Sequence, residues 1–246
     1  MMLAVLFLSG LGMVQDDPKE EAKKKDDEAK AKIVEFKKEL KTCRDDKDRA
    51  RAMGALGGLQ HPRVLEELKG YLKYPTSDVA IAAAEQIGKF AKDKDAAEAL
   101  MAGAGMRRDK DTIIKCLRYA GDVGLRSIVP KLLGYFKHKD ADIAREAVDS
   151  CAKLKAGVAI DPLLALWREL DQIKDEKDQG GLGAGLGGGG LTGTNTFGDE
   201  QKVRKTSLTP AVEGALDKIT GESFKSYDEA QKWWRMFKGK WKEPAE

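Results

Sequence analysis

The feature that most constrains this chain is an internal repeat of just over thirty residues. Taking Lys47, Asp78, Asp111 and Asp142 as equivalent starts, the segments are 31, 33 and 31 residues apart. Five positions on, each carries a small residue, Ala52, Ala83, Cys116 or Ala147. The next residue is apolar in every case: Met53, Ala84, Leu117, Val148. Nine positions on stand Leu56, Ile87, Ala120 and Cys151, followed directly by Gly57, Gly88, Gly121 and Ala152. Leu59, Phe90, Val123 and Leu154 occupy the twelfth position. A second register follows each of these segments. Leu68, Leu100, Leu132 and Leu164 lie 32 residues apart, with Val64, Ala96, Ile128 and Ile160 four residues before each. Two apolar registers held over four units are the sign of a repeat architecture in which each unit buries its faces only against its neighbours.

Spacings of three and four within each register are helical. Breaks fall near Gln60-His61-Pro62, Asp93-Lys94-Asp95, Gly121 to Gly124 and Lys155-Ala156-Gly157, so each unit reads as two amphipathic helices. Small residues at the centre of the first helix let the second approach. The glycine near its end suits a left-handed cap that stops the helix. Ala, Leu, Lys and Glu dominate, aromatics make up only 7% and prolines number seven, which leaves little material for a sheet. The expected fold is all-α, an α-solenoid of about four helix pairs with a C-terminal helical cap.

Outside the repeats the composition changes abruptly. Met1 to Val14 is an uncharged apolar run. It is far below the ~20 residues that span a bilayer and suits a cleaved signal peptide over residues 1–15, hence export to the periplasm or the cell exterior. Residues 16–31 alternate acid and base without an apolar stripe and read as a charged linker or frayed helix. The solenoid is expected over 32–174. Residues 175–200 hold ten glycines and read as a flexible loop, and 201–246 as a closing helical segment. Ser226 and Glu229 form a capping-box pattern ahead of the last helix.

Candidate chemistry is sparse. Gly183, Gly185 and Gly188 satisfy G-x-G-x-x-G, but eight glycines in eleven positions make that match nearly automatic. No strand precedes it to form a dinucleotide site. His61 and His138 sit at helix boundaries in different repeats, a turn or cap placement without metal-ligand spacing. Cys116 and Cys151 fall in core register. Cys43, beside Lys41 and Arg44, is the one thiol that could act as a nucleophile. Lys and Arg outnumber Asp and Glu by 44 to 41, so no global field favours nucleic acid. From residue 201 on there are ten cations and seven anions, and Trp233, Trp234, Phe237 and Trp241 are interleaved with Lys232, Arg235, Lys238, Lys240 and Lys242. That spacing makes one helical stripe, either a cap on the last repeat or a surface for acidic partners or headgroups.

The pieces MGALGGL (53–59), AAAEQIGKF (82–90) and EAVDSCAKL (146–154) resemble HEAT repeats of the short, phycobilisome-lyase-like type, over residues 47–174. The tail KITGESFKSYDEAQKWWRMFKGKW resembles the closing segment of exported bacterial HEAT-repeat proteins. The resemblance implies a curved right-handed solenoid whose usual business is holding other molecules, here expected to be another protein; the residues themselves offer no cofactor, metal or catalytic site. It also implies that the second helices line the concave face, where Arg63, Glu67, Lys131 and Arg168 are the candidate partner contacts. Some relatives are bilin lyases, so a Cys43-dependent enzyme is the alternative. A third reading is an envelope-associated protein that uses its basic aromatic tail. Each core leucine contributes roughly 1.5–3 kcal/mol on burial. Leu132→Asp is therefore expected to unfold the central repeats, seen as an early loss of far-UV circular dichroism on heating; a melt matching the wild type would defeat the repeat reading.

Overall fold

The computed structural model describes residues 18–173 and 196–243, with side chains in the second span from residue 200. Among these residues there are eleven α-helices and no strand. They are α1 Pro18–Thr42, α2 Asp46–Leu56, α3 Pro62–Tyr71, α4 Ser77–Ile87, α5 Lys94–Met106 and α6 Lys110–Val123. After these come α7 Val129–Leu133, α8 Ala141–Lys153, α9 Ile160–Asp171, α10 Thr196–Thr220 and α11 Tyr227–Phe237. Short 3-10 turns, Arg126–Ile128 and Gly157–Ala159, lead into α7 and α9.

Helix starts are set locally by caps. Asp45, Asp93, Asp109 and Asp140 each accept a hydrogen bond from a free backbone N–H of the first turn, at Asp48, Ala96, Thr112 and Asp142 respectively. These are donors that an uncapped helix would leave without a protein partner. His61 caps α3 by accepting from the Arg63 N–H, and Pro62 occupies the first turn, where a missing N–H costs nothing. At α11 the Ser226 hydroxyl accepts from the Glu229 N–H while the Glu229 carboxylate accepts from the Lys225 N–H, a capping-box exchange whose return bond falls one residue before the cap.

Both apolar registers are buried. Leu68, Leu100 and Leu132 are fully enclosed and Leu164 nearly so, and Val64, Ala96, Ile128 and Ile160 lie beneath them. They belong to one continuous core that runs from Ala29 and Phe36 in α1 to Ala230 and Trp234 in α11. The helices fall into two rows. The first row, α2, α4, α6, α8 and α10, is packed in sequence, each helix against the next. Members of the second row, α3, α5, α7 and α9, pack chiefly on the first-row helix of the following unit, not on their own hairpin partner.

The glycines that end the first-row helices do not act as left-handed caps. Gly57 and Gly88 are right-handed, with φ −71° and −60°, and Gly121 is helical. Their role is steric. A Cβ at Gly57 would lie 2.7 Å from Cβ of Gln86, and one at Gly88 2.8 Å from Cβ of Tyr119. One at Gly121 would lie 3.0 Å from Cβ and 3.2 Å from the Cα of Ser150. Each glycine thus admits the next first-row helix, at the same position of the first three units; the fourth carries Ala152 there. At the third seam the Ser150 hydroxyl also donates to the Leu117 carbonyl at 2.9 Å. Left-handed backbone falls later, in the turns, at Lys92, Gly124 and Lys155.

The N-terminal end differs from the sequence expectation. The charged segment expected as linker or frayed helix is continuous helix from Pro18 onward, within α1. Glu20–Lys24, Glu21–Lys25 and Asp26–Lys30 pair at i,i+4 along it, and Ala29 is buried. α1 packs on α2 and α3 and so stands as a second-row helix without a first-row mate. At the other end α10 supplies Leu208, Val212, Ala215, Leu216 and Ile219 to the core and packs on α8 and α9, while α11 packs on α9. The expected helical cap is thus present, built as a further helix pair whose first helix spans Thr196–Thr220. The proposed signal segment 1–15 lies outside the described residues, as does nearly all of the glycine-rich 175–200.

The glycine seams lead to a paired prediction. Gly121→Ala forces α6 from α8 and should lower stability by about 1–3 kcal/mol. Gly54→Ala, a helix-interior glycine with nothing within 4 Å of an added Cβ, should raise it by about 1 kcal/mol. Urea unfolding midpoints check both; equal shifts in one direction would remove the steric account of Gly121.

Candidate functional site

The second row carries the four residues singled out as partner contacts, and three of them have partners within the protein. The Arg63 guanidinium reaches Asp26 of α1 at 2.5 Å, and Glu67 pairs with Lys37 of α1 at 2.8 Å. Lys131 of α7 pairs with Glu98 of α5. The cations of Arg63 and Lys30 hold the Asp26 carboxyl down to about 2. These pairs bridge consecutive second-row helices and spend their charge there.

Arg168 is different. It is exposed on α9 and has no ion pair among the described residues. It faces a groove of about 660 Å³ between α9 and α11, lined from α9 by Asp161, Leu164, Ala165, Arg168, Glu169 and Gln172. From α11 come Tyr227, Gln231, Trp234, Arg235 and Lys238. α9 is oriented by its buried face, Leu163, Leu166, Trp167 and Leu170, which turns Arg168 and Gln172 outward. α11 is oriented by Ala230 and Trp234.

The groove wall is fixed by Asp161. Its carboxylate accepts from the Trp234 indole N–H at 2.9 Å and from the Lys238 ammonium at 2.8 Å. Burial pushes this carboxyl up, but those two donors outweigh it and hold it below the usual carboxylate range. Lys238 also stands 5.9 Å from the centre of the Trp234 ring. Trp241 meets Trp234 edge-on at 6.0 Å and fills the space at Gly157 where a side chain would stand. With Asp161 and Lys238 committed to each other, Arg168 and Arg235 are left unpaired, opposed inside the groove only by Glu169. Planar guanidinium groups beside an aromatic wall, flanked by two amides, suit a segment that carries carboxylates and some apolar surface.

The sequence pointed to Arg168 and to the aromatic stripe of α11 separately, and the structure brings them together. Arg235, Tyr227, Gln231 and Asp161 as partners of Arg168 were not legible, because the glycine-rich segment separates them in the chain. The stripe itself divides. Trp234 and Trp241 turn inward, whereas half-buried Trp233 stacks on Trp234 at 6.2 Å and on Phe237 at 5.1 Å and so leads from the inner face to the outer one.

The other candidates sit apart from this groove. The Cys43 thiol donates to the Glu39 carbonyl at 3.4 Å; burial pushes its pKa up, and the Asp48 carboxylate adds to the shift. That is the reverse of what a nucleophilic thiol needs. Cys116 and Cys151 are buried, which pushes each up to about 12. His61 and His138 act as local acceptors, His138 Nδ1 taking the Asp140 N–H at 3.1 Å. Among the described residues no group of three His, Cys, Asp or Glu side chains is placed to hold a metal ion, and no helix is long and apolar enough to cross a membrane. Residues 33–115, from within α1 into α6, match the family model described as HEAT repeats. No curated protein matches the chain.

Proposed function

We propose that this HEAT-repeat protein is a non-catalytic scaffold that grips an acidic segment of another protein in the groove between α9 and α11. HEAT repeats commonly mediate protein interactions, because a stack of hairpins leaves long surfaces free of the core. The observation that carries the reading is the unpaired couple Arg168 and Arg235 against Trp234 and Tyr227, beside a second row whose other candidate contacts are tied up in ion pairs. The two arginines supply charge-assisted hydrogen bonds to carboxylates, half-buried Tyr227 supplies flat apolar area beside the edge of Trp234, and Gln172 and Gln231 can hold a peptide backbone. The raised Cys43 thiol argues against the lyase-like alternative.

The reading is tested by a photo-crosslinking residue placed at Gln231 in the producing cells, with one at exposed Glu85 as control. One recurrent protein, crosslinked through an acidic stretch, should come from Gln231 and not from Glu85. Arg168→Glu with Arg235→Glu should cut its yield about tenfold while the thermal melt is kept. Recovery of a pigment or other small molecule at Gln231, or a partner indifferent to the charge reversal, would overturn it.

We also infer export, on the strength of the apolar run Met1 to Val14. Mass spectrometry of the mature chain should find an amino terminus near residue 16; a mature cytoplasmic chain that retains Met1 or Met2 rejects this.

A further inference from the structure

We propose that the outward flank of α11 is a contact for anionic phospholipid headgroups. α11 carries apolar side chains beyond those its buried face uses. Ala230 and Trp234 are buried against α9. Trp233, half-buried and packed against the core beside Trp234, is continued into a stripe at helical spacing of three and four by Met236 and Phe237, which the fold leaves 57% and 42% exposed. The stripe is ordered from beneath, because Trp233 stacks on Phe237 and packs against Phe224 at 5.5 Å. Exposed large apolar side chains that are held rigid mark a surface that something covers.

Charge indicates what covers it. Lys232, Lys240 and Lys242 are exposed around the stripe, and none pairs with a carboxylate among the described residues. Two of the nearby acids are consumed. The Glu229 carboxylate caps its own helix through the Lys225 N–H, and the Glu243 carboxylate takes the Gly157 N–H at 2.6 Å. The stripe lies on the convex back of a single helix, which offers an extended peptide no groove. A convex helix face with Trp, Met and Phe at its centre and free lysines at its rim matches the boundary between acyl chains and phosphates, with the rings at headgroup depth and the lysines on phosphate oxygens. The proposal does not use Arg168 or Arg235, so it stands or falls separately from the groove.

The test is sedimentation of the full chain with vesicles of equal parts phosphatidylglycerol and phosphatidylcholine, against pure phosphatidylcholine. Binding should favour the anionic vesicles, weaken as salt is raised, and shift the tryptophan emission to the blue. Lys232→Ala with Lys240→Ala should weaken it roughly 30-fold, at ~1 kcal/mol for each lysine. Met236→Ser with Phe237→Ser should abolish the blue shift. Arg168→Glu with Arg235→Glu should leave binding in place. All of these side chains are exposed, so retained helical circular dichroism confirms that each variant folds. Three results would overturn the proposal. One is equal binding to neutral vesicles. Another is undiminished binding by both the lysine and the Met236/Phe237 variants, which would assign it to Met1 to Val14. The third is no vesicle binding together with self-association that Met236→Ser/Phe237→Ser dissolves, which would make the stripe a protein interface.

Discussion

The distance at which one first-row helix passes the next governs the rest of this structure. At Gly57, Gly88 and Gly121 the neighbouring chain stands where a methyl group would be, so three seams close to a spacing that no side chain permits. Close approach puts Ala52, Ala83, Ala147 and their neighbours into a dense common interior. Because the first row is tightly spaced and the second row packs mainly across units, second-row helices face one another through side chains and not through backbone. Grooves such as that between α9 and α11 arise from this asymmetry.

The polar ties follow the same period. Arg107 donates to the Tyr74 carbonyl and to the Asp109 carboxylate, which also receives the Ser77 hydroxyl and the Thr112 N–H. Burial pushes the Asp109 carboxyl up, and these donors more than reverse that, to about 2. Arg118 grips Glu146 with two hydrogen bonds between α6 and α8, Lys110 reaches Asp142, and Lys153 reaches Asp122. Apart from the local bonds of Asp109 to Arg107 and Thr112, these ties join positions 28 to 33 residues apart, about one repeat, so the polar surface and the apolar interior specify the same register. Agreement between the two leaves little room for a slipped stack.

The central repeats were readable because their two registers, ending at Leu154 and Leu164, mark helix faces without any knowledge of the partner. What was misread depended on contacts between units. A glycine at a helix end can serve conformation or space, and only the position of Gln86, Tyr119 or Ser150 decides which. α1 was obscure because its inward face up to Ala29 is almost devoid of large apolar residues, and its helix is held by i,i+4 pairs and by Arg63. The tail reads as a helical cap, and its share in the core was hidden because the glycine-rich segment interrupts the period before Leu208, Val212, Leu216 and Ile219 carry on the packing. Arg168 was named as one of four exposed charges. Its distinction from Arg63, Glu67 and Lys131 lies wholly in which carboxylates are already taken.

α7 is five residues long, against ten to thirteen for α3, α5 and α9. The 3-10 turn Arg126–Ile128 leads straight into it, and Ile128 is as deeply enclosed as Val129 and Leu132, so this unit keeps its place in the stack with less regular helix than its neighbours. A core position supplied from a turn depends on the seams on either side of it, so a substitution there would register in the adjoining units as well as in its own.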